Sequence, residues 1–270
     1  MVSEHQSDWP LVWLLFATYK RTELALQMIE LLKKNVLYPN LHWHICDDGS
    51  KETDDGTNRR HIDVIANAIG GDVTWHEMDT PPGEFNLGGC TNRGVQLGIE
   101  AGANQFLVVC DDDAPIECWD MRPYADLLDT HQEVGAVRLV HLSEGMGMLV
   151  KDTHSQRLDG QLFMWGRAIR EWSLNNSFGQ TQAYLNTYDM ILYHRRFFEA
   201  YGWMPEHEYP GLTEVHFCAQ YNQSPLGEDG PQIWVPLSKG PGSPWYHIGR
   251  GQRSNYYLDA TKDIYRKNEE

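Results

Sequence analysis

The chain of 270 residues is 41% hydrophobic, which is enough for a full globular core, and we expect a single domain. Its 38 acidic and 22 basic side chains give a net charge of −16 at pH 7, which opposes extended contact with DNA or with an anionic membrane surface. No apolar run approaches the roughly 20 residues that cross a bilayer, and the N-terminal residues lack the basic and apolar regions of a signal peptide, so we expect a cytoplasmic protein without a membrane span.

The first half of the chain alternates apolar runs of strand length with amphipathic stretches of helix length. The predicted elements are, in chain order, strand Leu11–Ala17, a helix ending near Lys34, strand Leu41–Cys46, helix Arg59–Ala68, strand Val73–Met78, helix Gly89–Ala101 and strand Phe106–Cys110. This alternation predicts a parallel sheet with right-handed crossovers.

Two of these strands end in carboxylates. Asp47 and Asp48 follow the second strand, and three consecutive aspartates, residues 111–113, follow the last one. Because parallel strands end at the same edge of a sheet, both acidic ends are expected to line one crevice. Adjacent carboxylates repel one another, so the cluster favours a bound Mg²⁺ or Mn²⁺ shared with a phosphorylated ligand; a solvated acidic turn is the alternative.

Beyond Val140 the pattern is less regular and rich in Trp, Tyr, Gly and Pro. Helices are predicted over His194–Tyr201 and about Leu212–Tyr221, and a short strand over Gln232–Leu237. The tail, Pro241–Tyr257, has the composition of a loop that closes over a ligand.

The five cysteines are odd in number, scattered, and without paired metal-ligand spacing. They favour a reducing compartment and argue against a structural zinc site. Cys46 and Cys110 have the pattern of small core residues.

Four segments in the first 115 residues resemble the family-2 glycosyltransferases in order and spacing. They are residues 17–21, residues 46–50, the pair of segments 86–88 and 92–94, and residues 109–113. The resemblance implies the GT-A fold, an α/β architecture with a Rossmann-like, mostly parallel central sheet flanked by helices. It also implies inverting transfer of a sugar from a nucleotide-diphosphate donor to a hydroxyl acceptor. Residues 1–140 would then bind the donor, and residues 141–270 would bind the acceptor and supply the base.

The family's motifs assign roles to residues after the first strand and at the two acidic strand ends. The resemblance places Thr18 and Arg21 beside the donor nucleotide, and gives Asp47 or Asp48 the hydrogen bond to its base. Uracil offers an N–H to a carboxylate, which favours a UDP-sugar. Asp113 would be the principal Mn²⁺ or Mg²⁺ ligand and Asp111 the second, with a further contact to the donor; the run of three aspartates leaves two alignments open.

The same resemblance extends to residues outside the acidic ends. Asn92 would face the donor from within a helix, whereas Asn86 is interpreted as a helix cap. His247 resembles the late histidine that completes the metal shell in many GT-A enzymes. Arg250 and Arg253 would hold the diphosphate through charge-assisted hydrogen bonds.

An inverting enzyme needs a carboxylate to deprotonate the acceptor. Glu214 is the predicted base because it follows the segment Arg195-Arg196-Phe197-Phe198, which resembles the family's Arg-Arg-x-x-Phe pattern, although Val215 stands where the family has a second acid. Glu228 and Asp229 form a rival pair that we interpret as a surface turn. Trp165 is a candidate for stacking on the acceptor, with core packing as the alternative.

The acceptor class stays open between a glycan, a small molecule and a modified nucleobase. A glycosyltransferase acting on modified bases of viral DNA is therefore an alternative, though the net charge disfavours DNA as a partner. A sugar nucleotidyltransferase and a non-catalytic module that binds nucleotide sugars are two further alternatives.

Overall fold

A computed structural model describes residues 8–81, 84–139, 142–143, 150–158, 160–168, 190–208, 210–238 and 245–247. The described strands are β1 (Val12–Thr18), β2 (Val36–Leu37), β3 (Leu41–Asp47), β4 (Val73–Glu77), β5 (Gln105–Cys110), β6 (Asp113–Pro115), β7 (Trp119–Asp120), β8 (Val134–Arg138), β9 (Leu142–Ser143), β10 (Val150–Leu158), β11 (Gln161–Ala168), β12 (Ile191–His194), β13 (Gln232–Ser238) and β14 (Trp245–His247). The described helices are α1 (Thr22–Asn35), α2 (His61–Ile69), α3 (Leu87–Glu100), α4 (Arg122–Thr130), α5 (Arg195–Tyr201) and α6 (Pro210–Asn222). Within these ranges, no helix has the length and apolar character that a membrane crossing needs.

One large sheet runs through both halves of the chain. Its strand order is β10-β11-β13-β8-β12-β5-β1-β3-β4, and β9 pairs with β13 outside this path. The four strands β4, β3, β1 and β5 are parallel to one another, while β12 runs antiparallel between β5 and β8. The predicted parallel sheet of the first half is therefore confirmed, and the second half extends the same sheet.

The central strands β1 and β5 are apolar except at Thr18 and Gln105 because helices cover both faces of the sheet. Alternate residues feed two separate core layers. Leu14 and Leu107 belong to the layer that also contains α1 and α2, whereas Leu15 and Phe106 belong to the layer beneath α3 and α5. Continuous apolar sequence in these strands thus reflects burial on both sides.

The predicted elements of the first half match the observed ones to within two residues at each end. The helix predicted over Arg59–Ala68 is observed at His61–Ile69, and the one predicted over Gly89–Ala101 begins earlier, at Leu87. The helix predicted over Leu212–Tyr221 is also longer, at Pro210–Asn222. Helix α4, strand β8 and the β10–β11 pair were not predicted.

Candidate functional site

The two acidic strand ends lie on either side of the end of β1. Thr18, the last residue of β1, is in register with Asp47 on one neighbouring strand, and Ala17 is in register with Cys110 on the other. The five aspartates that follow these ends are all buried, none exposing more than 6% of its surface: Asp47, Asp48, Asp111, Asp112 and Asp113. We call this set the aspartate cluster. The structure thus brings together the carboxylates that the sequence predicted to converge.

Asp111 and Asp112 are held by the segment that follows β1. Asp111 Oδ2 accepts hydrogen bonds from Thr18 Oγ1 at 3.1 Å and from the backbone N–H of Tyr19 at 3.3 Å. The guanidinium of Arg21 pairs with Asp111 through Nη2, and its Nη1 donates to Asp112 Oδ2 at 2.8 Å. Two of the predicted donor-site residues, Thr18 and Arg21, therefore contact the aspartate cluster directly.

The backbone that positions Arg21 is left-handed. Lys20 and Arg21 have φ values of 53° and 50°, which side-chain-bearing residues rarely adopt. The turn is secured where Lys20 N–H donates to Ser50 Oγ at 2.7 Å, and that hydroxyl in turn donates to Asp47 Oδ1 at 2.5 Å. Such strained backbone is often found at functional sites, where surrounding contacts stabilise it.

Asp47 and Asp48 differ in how their oxygens are satisfied. Asp48 accepts from Thr80 Oγ1 at 2.7 Å through one oxygen and from the backbone N–H of Asn86 at 2.9 Å through the other. Asp47 Oδ1 accepts from Ser50, but its buried Oδ2 has no hydrogen-bond partner among the described residues. Burial raises the pKa of Asp47 to about 6 and also raises the pKa of Asp48. Among the described residues, both carboxylate oxygens of Asp48 therefore accept hydrogen bonds, whereas one oxygen of Asp47 does not.

His61 is a buried part of this region that sequence reasoning missed. Its Nε2 lies 3.0 Å from Thr18 Oγ1 and its Nδ1 lies 3.1 Å from Thr22 Oγ1, so the ring joins the end of β1 to the start of α1. Burial lowers the pKa of His61 to about 4, which keeps the ring neutral at pH 7. From the sequence alone, a single histidine at the start of an amphipathic helix does not indicate this contact.

Asp113, the last residue of the aspartate cluster, lies on a second, smaller sheet formed by β6 and β14. Its Oδ2 accepts from the backbone N–H of Cys110 at 3.2 Å, and β6 pairs antiparallel with β14 so that His247 stands opposite Asp113. The side chain of His247 and the whole of Arg250 and Arg253 lie outside the described residues. The buried carboxylate oxygens of Asp111 and Asp113 are donors of the kind that Mn²⁺ and Mg²⁺ prefer.

The two asparagines near α3 both make contacts within the protein. Asn86 is the N-cap of α3, where its Oδ1 accepts from Gly89 N–H at 3.2 Å and from His207 N–H at 3.0 Å. Asn92 exchanges hydrogen bonds with the backbone of Met204, at 2.9 and 3.0 Å, and its Nδ2 donates to Glu206 Oε1 at 3.1 Å. The structure thus places Asn92 against residues 204–206, and its amide joins α3 to that loop.

The two candidate bases occupy different surroundings. Glu214 is half-buried in α6, next to Thr213, whose Cγ2 lies 3.2 Å from where a Cβ on Gly88 in α3 would stand. This packing places the helix of Glu214 beside the helix capped by Asn86. Glu228 and Asp229 are exposed in a short 3₁₀ turn, with Glu228 bonded to a histidine at the surface.

Trp165 packs inside the protein. Its ring stacks on Trp234 with centroids 4.4 Å apart and planes at 9°, and on His154 with centroids 5.5 Å apart. It lies on β11, four strands away from β5 in the sheet. The described contacts of Trp165 are therefore those of a residue at the margin of the core.

No protein-family model and no curated protein sequence matches this chain. Among solved structures, S. aureus TarS is similar with a TM-score of 0.52 at 13% identity, covering 88% of this chain and 36% of TarS. The chain has the GT-A fold. The structure of S. aureus TarS 1–349 in complex with UDP is similar to this GT-A chain with a TM-score of 0.51 at 13% identity, covering 87% of this chain and 60% of that one. The GT-A chain therefore spans about a third of the first TarS chain and 60% of the second.

Proposed function

We propose that this GT-A protein is a metal-dependent, inverting glycosyltransferase that moves a sugar from a nucleotide-diphosphate sugar to a hydroxyl acceptor. The observation that carries the proposal is the burial of five carboxylates at the carboxyl edge of the sheet, where Thr18 contacts Asp111 and Arg21 contacts Asp111 and Asp112. This edge is where open α/β sheets bind nucleotides. The complex of the similar TarS chain with UDP supports a uridine nucleotide as the first donor to test.

The donor nucleotide is assigned to the segment after β1 and to the end of β3. Asp47 is the residue of the 47–48 pair that we propose reads the base, because its Oδ2 can accept from an N–H such as that of uracil. Asp48 holds the loop in place through Thr80 and Asn86. Thr18 and Arg21 keep their predicted place beside the nucleotide.

Asp111 and Asp113, with His247, are the residues that would hold Mn²⁺ or Mg²⁺. When bound, the ion would neutralise negative charge on the diphosphate leaving group. Arg250 and Arg253 would bind the same diphosphate through charge-assisted hydrogen bonds, as the sequence predicted.

Glu214 is the proposed general base. Its carboxylate would take the proton from the acceptor hydroxyl while that oxygen attacks the anomeric carbon, and the nucleoside diphosphate would leave from the opposite face with inversion. Asn92, which contacts residues 204–206, would act on donor binding by positioning that loop. We keep residues 1–140 as the donor half and residues 141–270 as the acceptor half, with Trp165 as the acceptor candidate to test.

The proposal is tested by thermal shift with a panel of nucleotide sugars, with and without Mn²⁺, because a ligand that binds only the native state raises the melting temperature. We expect a UDP-sugar to stabilise the protein in the presence of Mn²⁺, and Asp113→Asn to abolish this shift. Asp63→Asn, on the exposed face of α2, is the matched control and should keep it. A shift that persists in Asp113→Asn would place the ion elsewhere, and no shift with any nucleotide sugar would refute the proposal.

Glu214→Gln separates catalysis from binding. We expect the variant to retain the donor-induced shift and to lose sugar transfer, measured as release of the nucleoside diphosphate in the presence of acceptor hydroxyls. If the wild-type protein binds the donor without transferring or hydrolysing it, the protein is a non-catalytic module that binds nucleotide sugars. Formation of a nucleotide sugar from a nucleoside triphosphate and a sugar phosphate would indicate the nucleotidyltransferase instead.

A further inference from the structure

Apart from the aspartate cluster, a group of side chains of the types that bind metals lies between the sheet and α3, on the opposite side of β3 from Asp47. His44 and Cys46 are two residues apart on β3 and therefore share one face. His76 is in register with Cys46 on the neighbouring strand β4. One ligand atom from each of these three residues lies within 4.8 Å of the other two.

Helix α3 brings a second thiol next to this group. Cys90 Sγ lies 3.4 Å from His76 Nε2, and its thiol also interacts with the thiol of Cys46. The helix approaches the strand closely here because residue 94 is glycine, where a Cβ would stand 2.7 Å from Cys46 Sγ. Three of these residues, His44, Cys46 and His76, present ligand atoms within 4.8 Å of one another, and the Cys90 thiol lies against two of them, Cys46 and His76.

The surrounding contacts orient the two imidazole rings. Thr74 Oγ1 lies 2.7 Å from His44 Nδ1, so the other ring nitrogen, Nε2, faces His76 Nδ1 at 2.8 Å. Fixing one ring nitrogen through an outer hydrogen bond is how proteins commonly present the other to a metal.

We propose that His44, Cys46, His76 and Cys90 form a structural site for one thiophilic divalent cation, with Zn²⁺ as the ion that this ligand set selects. Two imidazoles and two thiolates are a complete tetrahedral set for zinc, and carboxylate-preferring ions such as Mg²⁺ bind it poorly. Binding involves no redox change: the two thiols release their protons to solvent and the imidazoles bind as neutral ligands.

The site would connect two parts of the donor region. Cys46 directly precedes Asp47 in β3, and Cys90 lies in the first turns of α3, whose N-cap residue Asn86 donates to Asp48. A cation held by both cysteines would fix the end of β3 to the start of α3. The inference does not depend on the proposed function, because its ligands are separate from the aspartate cluster.

The test uses the full chain, freed of metal and titrated with Co²⁺ under reducing conditions. We expect one equivalent to bind with thiolate-to-cobalt charge-transfer absorption and the visible bands of a tetrahedral ion, and Zn²⁺ to displace it. Zn²⁺ should also raise the melting temperature. If the wild-type protein gives no charge-transfer absorption, the four side chains form a hydrogen-bonded network without a metal and the proposal is wrong.

Three variants assign the signal to this site. Cys90→Ser should weaken Co²⁺ binding roughly 10-fold or more and reduce the charge-transfer intensity. Cys118→Ser, which removes an exposed thiol, should leave both unchanged. Asp113→Asn should also leave them unchanged while removing the nucleotide-dependent shift, which separates the two sites. Loss of the absorption in Cys118→Ser would assign it to adventitious binding at the surface and overturn the proposal.

Discussion

We expect His61 to make the protein sensitive to acid, and His61→Gln to relieve that sensitivity. His61 is fully buried between Thr18 and Thr22, with a hydroxyl oxygen near each ring nitrogen. A charged imidazole in this position would lose its hydration without gaining a paired anion in direct contact, which is why burial lowers its pKa from 6.5 to about 4. Gln can reach one hydroxyl and does not titrate.

The direction and size of the effect follow from the pKa difference. Between pH 6.5 and pH 4 the unfolded chain binds a proton at His61 and the folded protein does not, so the free energy of unfolding falls as the pH falls. The difference between the two pKa values of His61 corresponds to about 3 kcal/mol of unfolding free energy, and about 2 kcal/mol of it is lost on going from pH 7 to pH 4.5. Other buried histidines titrate equally in both proteins, so they cancel in the difference.

The assay is urea unfolding of wild type and His61→Gln at pH 7 and pH 4.5, without added divalent ions. We expect the variant to lose about 2 kcal/mol less than the wild type over this interval. Thr22→Val is the matched control: it removes one partner of the ring but keeps the histidine, so it should be destabilised at both pH values and retain the wild-type pH dependence. Equal losses in wild type and His61→Gln would refute the assignment.

Three further substitutions probe the frame of the site by urea unfolding. Asn86→Ala removes the N-cap of α3 and should cost about 1–2 kcal/mol, and a cost near zero would contradict its capping role. Phe106→Ala empties a buried position that contacts Phe198 edge-on and should cost about 3–5 kcal/mol. Arg21→Ala leaves Asp111 and Asp112 without their guanidinium and should cost about 3 kcal/mol, with Mn²⁺ restoring part of it; no response to Mn²⁺ would argue against an ion in this cluster.

The first half of the fold could be predicted because its strands are buried on both faces. Runs such as residues 12–17 and 106–110 are apolar without interruption, and the amphipathic stretches between them fix the order of strands and helices. Convergence of the two acidic ends then followed from the parallel sheet alone. That prediction needed no side-chain detail, only the direction of the strands.

The second half could not be predicted to the same degree because its strands have a mixed environment. The segment Val134–Arg138 is only five residues long and contains glycine and arginine, so it has no hydrophobic periodicity that would distinguish it from a loop. The β10–β11 pair extends the sheet with a polar strand, Val150–Leu158, whose sequence lacks the apolar run of a buried strand. These segments are strands because they pair with neighbouring strands, and the sequence does not show that pairing.

Contacts between distant side chains were also beyond prediction. His61 meets Thr18 across 43 residues, and Cys90 meets Cys46 and His76 only because α3 crosses β3 and β4. The linear spacing of the cysteines argued against a zinc site, since the spacing rules describe ligands on a local loop. Ligands contributed by a strand pair and a crossing helix have no such spacing.

The aspartate cluster concentrates negative charge at one edge of the sheet. It holds five buried carboxylates, and Arg21 forms ion pairs with two of them, Asp111 and Asp112. Part of the excess is relieved where burial raises the pKa of Asp47 to about 6 and that of Asp48 above its usual value. Hydrogen bonds from Thr18, Ser50 and backbone N–H groups offset some of the remainder, but none carries charge. Left-handed backbone at residue 21 brings the guanidinium to these buried carboxylates, and this concentration of charged groups at the sheet edge is the reason why we propose that a divalent ion binds there.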